Sequence, residues 1–381
     1  MKILISMPSI RYPGLCVPWL EKFKYFQSHG GELYISDSRS IKLLSKINNI
    51  YSFNNAFFHF TESHLSKFEY LIHCLVSNLK SLFFLKKASN LKFDIIYSPS
   101  AVLDFIIFAY FYKTLNKKCK WLVNIDNTVP LKNPGNPMVR FLTWVFFQIS
   151  LMLMSKSDHI FAVSPDIKEY LIKCHFSADQ ITVTGNGLEI GLIKRAKIIK
   201  KYKSDALFIG RINDTKGIYD MLEILLKIKD KYPNFLLNIM GNGDPTTLQN
   251  FKRQIIKHGL SHNIKLLGYR QGQEKFNFIK SSRSFWFFSV SESFGVALLE
   301  AVTSGLFAFT YDLPAFRYIY KHNEIYTFKI KDYQTIVDKM LSFYQNKKYI
   351  NTQGKKLLNK YSWENIAKHE YQTMIKDQQI I

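Results

Sequence analysis

Cysteine is scarce in this chain. Only Cys16, Cys74, Cys119 and Cys174 occur among 381 residues, with no Cys-x-x-Cys pair and no regular spacing. That pattern argues against a disulfide frame or a zinc site and sets the expectation of a reducing, cytoplasmic compartment. Long apolar runs are missing as well. The nearest approach, Phe141–Met154, is about 14 residues long and contains Thr143, Gln148 and Ser150. A bilayer span needs about 20 apolar residues, so a buried or interfacial helix is expected there. The opening run Met1–Pro8 is too short for a signal peptide and reads as a first strand. Acidic residues are the minority: 29 Asp and Glu stand against 52 Lys and Arg, a net charge of +23. Such an excess fits an anionic partner, whether nucleic acid, phospholipid or phosphorylated substrate, and it fits equally a drift of composition toward lysine. The basic residues are scattered, and no helix-turn-helix, RNA-recognition or zinc-finger pattern is present, so nucleic acid is not an expected partner.

What the chain does contain is apolar material for two cores: 47% of its residues are hydrophobic. Strand and helix patterns alternate along it. Met1–Met7, Gly31–Ser36, Phe93–Ser98 and Trp121–Asp126 read as strands, with Phe57–Phe60 as a weak further one. Val17–His29 and Met138–Ser155 read as helices. In the second half, Ala206–Arg211, Phe235–Met240, Ile264–Tyr269, Phe285–Phe288 and Gly305–Thr310 are strands, and Ile218–Lys229 and Glu274–Lys280 are helices. This alternation predicts an α/β protein with two Rossmann-like units.

The stretch Ser289–Ala301 concentrates the chemistry. A buried strand ends, a polar turn follows, and Gly295 opens a helix. Glu292 on the turn and Glu300 on the helix can address different parts of one long ligand. The free N–H groups of Phe294, Gly295, Val296 and their neighbours suit phosphates. Two carboxylates suit hydroxyls. A nucleotide-sugar offers both. Upstream, Gly210-Arg211 follows a strand and Lys216-Gly217 heads a helix. Arg211 presents a planar fork to phosphate oxygens and Lys216 a point charge.

These two segments carry a family resemblance. Glu292 and Glu300 bracket seven residues, and with Gly210–Gly217 they resemble the signatures of retaining glycosyltransferases of family 4, within the group 1 glycosyltransferases. The Gly-x-Gly at Gly241–Gly243, the Asn-Gly turn at Asn186-Gly187 and the Ser-Trp at Ser362-Trp363 are similar to further family motifs. The resemblance implies the GT-B fold, with two Rossmann-like domains facing across a cleft and a C-terminal helix crossing back to the first. Domains are expected at 1–190 for the acceptor and 205–360 for the donor, with a basic linker at 191–204 and the returning helix at 361–381. It also implies transfer of a hexose from a nucleotide-diphosphate-sugar to a glycan or lipid-linked acceptor, with retention. Glu292, Arg211 and Lys216 would be catalytic. Gly210, Gly241, Tyr269, Ser293, Phe294, Gly295, Val296 and Glu300 would hold the donor. No Asp-x-Asp pair occurs, so neither an essential metal nor a cofactor is expected.

The first half departs from the family pattern. Only Gly14 stands where two adjacent glycines are usual, and no histidine follows the strand that ends at Asp126. Gly14 and Asp126 are the acceptor-side candidates, although Asp126 serves equally as a turn cap. Leu65–Phe83 forms an apolar stripe at helical spacing, flanked by Lys67, Lys80, Lys86 and Lys87. It either packs on the sheet or lies on an anionic membrane. The expected setting is cytoplasmic, peripheral at the inner membrane face, in polysaccharide or lipopolysaccharide synthesis. An epimerase or hydrolase of the same architecture and a non-catalytic partner subunit are the rival readings.

Overall fold

The computed structural model describes residues 1–6, 16–35, 51–52, 79, 82, 85–130, 137–321, 323–345 and 351–378. They form two units. One comprises Met1–Gly187 together with Trp363–Ile381, the other Leu188–Ser362.

The first unit is built on a seven-stranded parallel sheet. Its strands are β1 (Lys2–Ile5), β2 (Glu32–Ile35), β3 (Tyr51–Ser52), β4 (Ile95–Ser98), β5 (Lys120–Ile125), β6 (His159–Ala162) and β7 (Ile181–Val183). Their order is β3-β2-β1-β4-β5-β6-β7. The strands are short runs of buried apolar residues, as expected where helices cover both faces of a sheet. Helix Cys16–Ser28 buries Trp19, Leu20, Phe23 and Phe26 against Ile3, Ile5 and Tyr97. The helix at the chain's end, Trp363–Gln378, completes this core with Ala367, Tyr371 and Met374. Tyr371 stacks on Phe26 with ring centroids 5.7 Å apart. A buried polar cluster lies in the same place. Lys22 Nζ donates to Glu370 Oε1 at 2.5 Å, and the Tyr97 hydroxyl donates to Glu370 Oε2 at 2.9 Å. The C-terminal helix thus belongs to the first unit, as the family pattern implies.

The second unit holds a six-stranded parallel sheet. Its strands are β8 (Ser204–Ile209), β9 (Leu237–Met240), β10 (Ile264–Gly268), β11 (Ser282–Phe287), β12 (Phe307–Tyr311) and β13 (Ile325–Phe328). The order is β10-β9-β8-β11-β12-β13. Strand order therefore reverses between β8 and β11. In open α/β sheets the crevice beyond the carboxyl ends of such a pair is where ligands bind.

Several boundaries differ from the sequence reading. The stretch 191–204 is no free linker. Helix Ile190–Arg195 and the turn Lys200–Tyr202 belong to the second unit. The Lys197 N–H donates to Asn277 Oδ1 at 2.9 Å and the Ile199 N–H to Ser281 Oγ at 2.8 Å, so helix Gly272–Ser281 holds the segment down. Its lysines point outward, and the composition reported only that outer face. The third strand in the first unit is Tyr51–Ser52, whereas the expected Phe57–Phe60 lies outside the described residues, as does nearly all of the 65–83 stripe. Gly187 has no room for a side chain: a Cβ there would stand 2.2 Å from the Trp363 ring. That accounts for its glycine without any ligand.

Candidate functional site

The site in the second unit is made of two packed βα turns. After β8 the chain runs through Gly210 and Arg211 into a short turn, Asp214–Lys216. Gly217 then takes a left-handed conformation, φ +67°, and starts helix Ile218–Lys229. A Cβ at Gly217 would lie 2.1 Å from the Phe288 carbonyl oxygen, so only glycine lets the end of β11 come this close. The Val290 N–H donates to the Thr215 carbonyl at 3.0 Å and pins the second turn to the first. That second turn ends at Gly295, φ +78°, which heads helix Val296–Thr303.

The turn after β9 packs on the same structure. Gly210 N–H donates to the Met240 carbonyl at 3.0 Å and Ile212 N–H to the Asn242 carbonyl at 2.9 Å. A Cβ at Gly241 would stand 1.8 Å from the Gly210 carbonyl oxygen. Gly241 is thus a packing requirement beneath the Gly-Arg turn, a role independent of any ligand contact.

The charged side chains gather on this frame. Lys216 and Glu292, which are 76 residues apart, form an ion pair, with side chains 15% and 11% exposed. The Lys216 ammonium also lies over the Phe287 ring, 5.8 Å from its centroid. Glu300, 6% exposed, accepts from Lys275 Nζ at 2.6 Å. Arg211 is exposed and has no hydrogen-bond or ion-pair partner among the described residues. Tyr269 is exposed just past the end of β10. Glu292 sits on the turn and Glu300 on the helix, as the spacing predicts. Phe294 offers the turn its backbone N–H, and its side chain turns the other way. That side chain is buried edge-on against Tyr361, with centroids 5.5 Å apart, and leaves only its backbone toward the turn. Ser293 and Val296 flank it at the helix head.

The sequence reading missed Lys275. It lies in helix Gly272–Ser281, between β10 and β11, where an isolated lysine beside Glu274 reads as ordinary surface charge.

In the first unit, Asp126 follows β5 directly. It accepts from Asn124 Nδ2 at 3.0 Å. Burial pushes its carboxyl up to about 6; Lys22 opposes the shift, Glu370 adds to it, and the Asn124 hydrogen bond opposes it. Gly14 lies outside the described residues. Among the described residues no group of three His, Cys, Asp or Glu side chains could hold a metal ion, and no helix is long and apolar enough to cross a membrane.

Residues 190–358 match the family model "Glycosyl transferases group 1". Through this second unit the chain is similar to the group 1 glycosyltransferases. It is similar to an uncharacterized glycosyltransferase of Methanocaldococcus jannaschii, at 30% identity over 56% of this chain and 58% of that one. It also resembles the phosphatidyl-myo-inositol mannosyltransferase of Mycobacterium tuberculosis, at 27% identity over 37% of each chain. The match thus spans less than two thirds of the length of either relative. Among solved structures, Anabaena HepE in complex with UDP-glucose superposes with a TM-score of 0.73 at 14% identity, covering 99% of this chain and 100% of that one. That likeness is one of fold, the two-unit GT-B architecture.

Proposed function

We propose that the protein is a retaining glycosyltransferase that moves a hexose from a nucleoside-diphosphate-sugar to a glycan or lipid-linked acceptor in cell-surface polysaccharide or lipopolysaccharide synthesis. One observation carries this reading: Lys216 and Glu292, 76 residues apart, pair across two interlocked turns at the reversal of strand order, with Arg211 on the first turn and Glu300 in the helix that follows the second. The similarity to a phosphatidyl-myo-inositol mannosyltransferase, and the likeness in fold to a protein bound to UDP-glucose, support it.

The chemistry assigned to each group follows from its charge and place. The bond between the anomeric carbon and the diphosphate oxygen breaks, and negative charge grows on the departing diphosphate. Arg211 and Lys216 offset that charge, helped by the backbone N–H groups at the head of helix Val296–Thr303. Two cations suffice here, and no divalent ion is assigned. Glu300 accepts hydrogen bonds from the ribose hydroxyls. Glu292 holds the transferred sugar and stabilises the positive charge at its anomeric carbon. No second carboxylate is assigned as a nucleophile in glycosidase fashion. The acceptor oxygen therefore attacks from the face the diphosphate leaves, and its proton passes to the departing phosphate oxygen. Lys216 starts out paired with Glu292, so the incoming diphosphate competes with a carboxylate for the ammonium. Asp126 contacts the acceptor in the first unit. The work is done at the cytoplasmic face of an anionic membrane.

The test is release of nucleoside diphosphate from a panel of donors, with the product anomer read by NMR. Turnover with retention is expected, and Glu292→Gln or Arg211→Ala should each lower kcat at least about a hundredfold. Unchanged turnover in both variants would overturn the site assignment.

A further inference from the structure

Helix Pro137–Met154 is apolar on two opposite sides. Phe147, Ser150, Leu151 and Met154 are buried and form the side facing the unit. At about 100° per residue, Phe141, Leu142, Val145, Ile149 and Met152 fall on the side directly opposite. Phe141 is 54% and Met152 66% exposed; Leu142 is also exposed, and Val145 and Ile149 are half-buried. A helix that packs on one face normally turns polar residues outward. This one turns out a second apolar stripe. The neighbouring helix Leu103–Leu115 packs beside it and extends the patch with Leu115, 65% exposed, and Phe111.

The rim of this patch is basic. Over 85–93, 105–120 and 137–157 the chain carries nine lysines and arginines and no acidic residue. Lys92, Lys117, Lys118 and Lys156 are exposed in the turns that lead into β4, β5 and β6, at one end of the sheet. The nearest acids there are already engaged: Asp158 pairs with Lys113 at 2.8 Å, and Asp94 accepts from the Lys2 N–H at 2.7 Å.

We propose that this face docks on an anionic lipid bilayer, with the Phe141–Met152 stripe and Leu115 entering the headgroup boundary and the rim lysines meeting lipid phosphates. Apolar stripe and cations together are what an interfacial helix needs. A second copy of the chain fits worse, because a two-fold contact across this face sets the same lysines against one another. The proposal extends the membrane reading above and moves its seat from the 65–83 stripe to helix Pro137–Met154. Vesicle binding needs no donor or acceptor, so its failure and a failure of glycosyl transfer are distinguishable.

The test is flotation of the full chain with phosphatidylcholine vesicles containing or lacking about a third phosphatidylglycerol. Binding to the anionic vesicles alone is expected. Lys117→Glu, Lys118→Glu and Lys156→Glu together should weaken it more than a hundredfold, at about fivefold or more per reversed charge. Phe141→Ser with Met152→Ser should weaken it at least tenfold while circular dichroism stays unchanged; if that pair loses helix, the charge variant decides. Brominated lipid should quench the wild-type fluorescence, and the quenching should vanish in Trp144→Phe, since Trp144 stacks on Phe141 at 6.2 Å. Absence of binding, equal binding to neutral vesicles, binding that both variant sets leave unchanged, or a dimer that the serine variants dissociate would each overturn the proposal.

Discussion

Lys275 Nζ lies 2.6 Å from Glu300 Oε1, joining the helix after β10 to the helix that carries the second glutamate of the signature. One carboxylate oxygen is thereby committed, and the group is held in one orientation. If Glu300 receives the ribose, Lys275→Met should weaken nucleoside diphosphate binding about tenfold, in line with a charged hydrogen bond. Calorimetry with 2′- and 3′-deoxyribose analogues separates orientation from mere folding. The penalty for losing a hydroxyl should shrink in Lys275→Met, as in Glu300→Gln, and return in Lys275→Arg. An unchanged penalty would leave Lys275 with packing alone.

Lys22 and Glu370 form a buried pair in the first unit, both side chains nearly inaccessible. Removing one charge strands the other. Glu370→Leu should cost about 3–5 kcal/mol in denaturant unfolding, whereas Lys22→Met with Glu370→Leu should recover most of it. A double variant no better than Glu370→Leu would mean that the carboxylate matters through its bond from Tyr97 instead.

Asp126 makes stability depend on pH. Its carboxyl is raised from 3.8 to about 6 in the folded protein, first by burial. Between those values the folded state holds the proton more tightly than the unfolded chain, so this group's contribution falls as pH rises through the window. Asp126→Asn should therefore be more stable than the wild type at pH 7.5, by about 3 kcal/mol, and the gain should fade as the pH approaches 4. A pH-independent difference would contradict the assignment.

Gly217→Ala should be far more damaging than the alanine at the other helix-heading glycine, Gly295. It places a Cβ 2.1 Å from a carbonyl oxygen at φ +67°. The left-handed conformation alone costs about 1–2 kcal/mol, and the clash adds to it. Gly295→Ala meets only the edge of the Phe316 ring, at 2.8 Å, which can tilt. Thermal melts should rank Gly217→Ala well below Gly295→Ala.

The sequence displayed the two βα turns because their chemistry is local. An arginine, a glycine that must bend and a cation at a helix head all sit within eight residues at Gly210–Gly217, directly after β8. The Lys216–Glu292 and Lys275–Glu300 pairs were not legible: the first joins residues 76 apart that the β8–β11 neighbourhood brings together, and the second joins the two helices on either side of β11. The 191–204 segment misled for the opposite reason. Its basic composition describes what faces water, while its hold on Asn277 and Ser281 runs through backbone N–H groups common to every residue.

The placement of helix Trp363–Gln378 in the first unit also sets an order of events during synthesis. Domains usually complete themselves in the order in which they emerge. Here Leu188–Ser362 is one continuous segment and can close its sheet while the ribosome is still at work. The segment before it must wait, with the Lys22 ammonium and the Phe26 ring uncovered, until Glu370 and Tyr371 have been made. A helix translated after the second unit is what finishes the first.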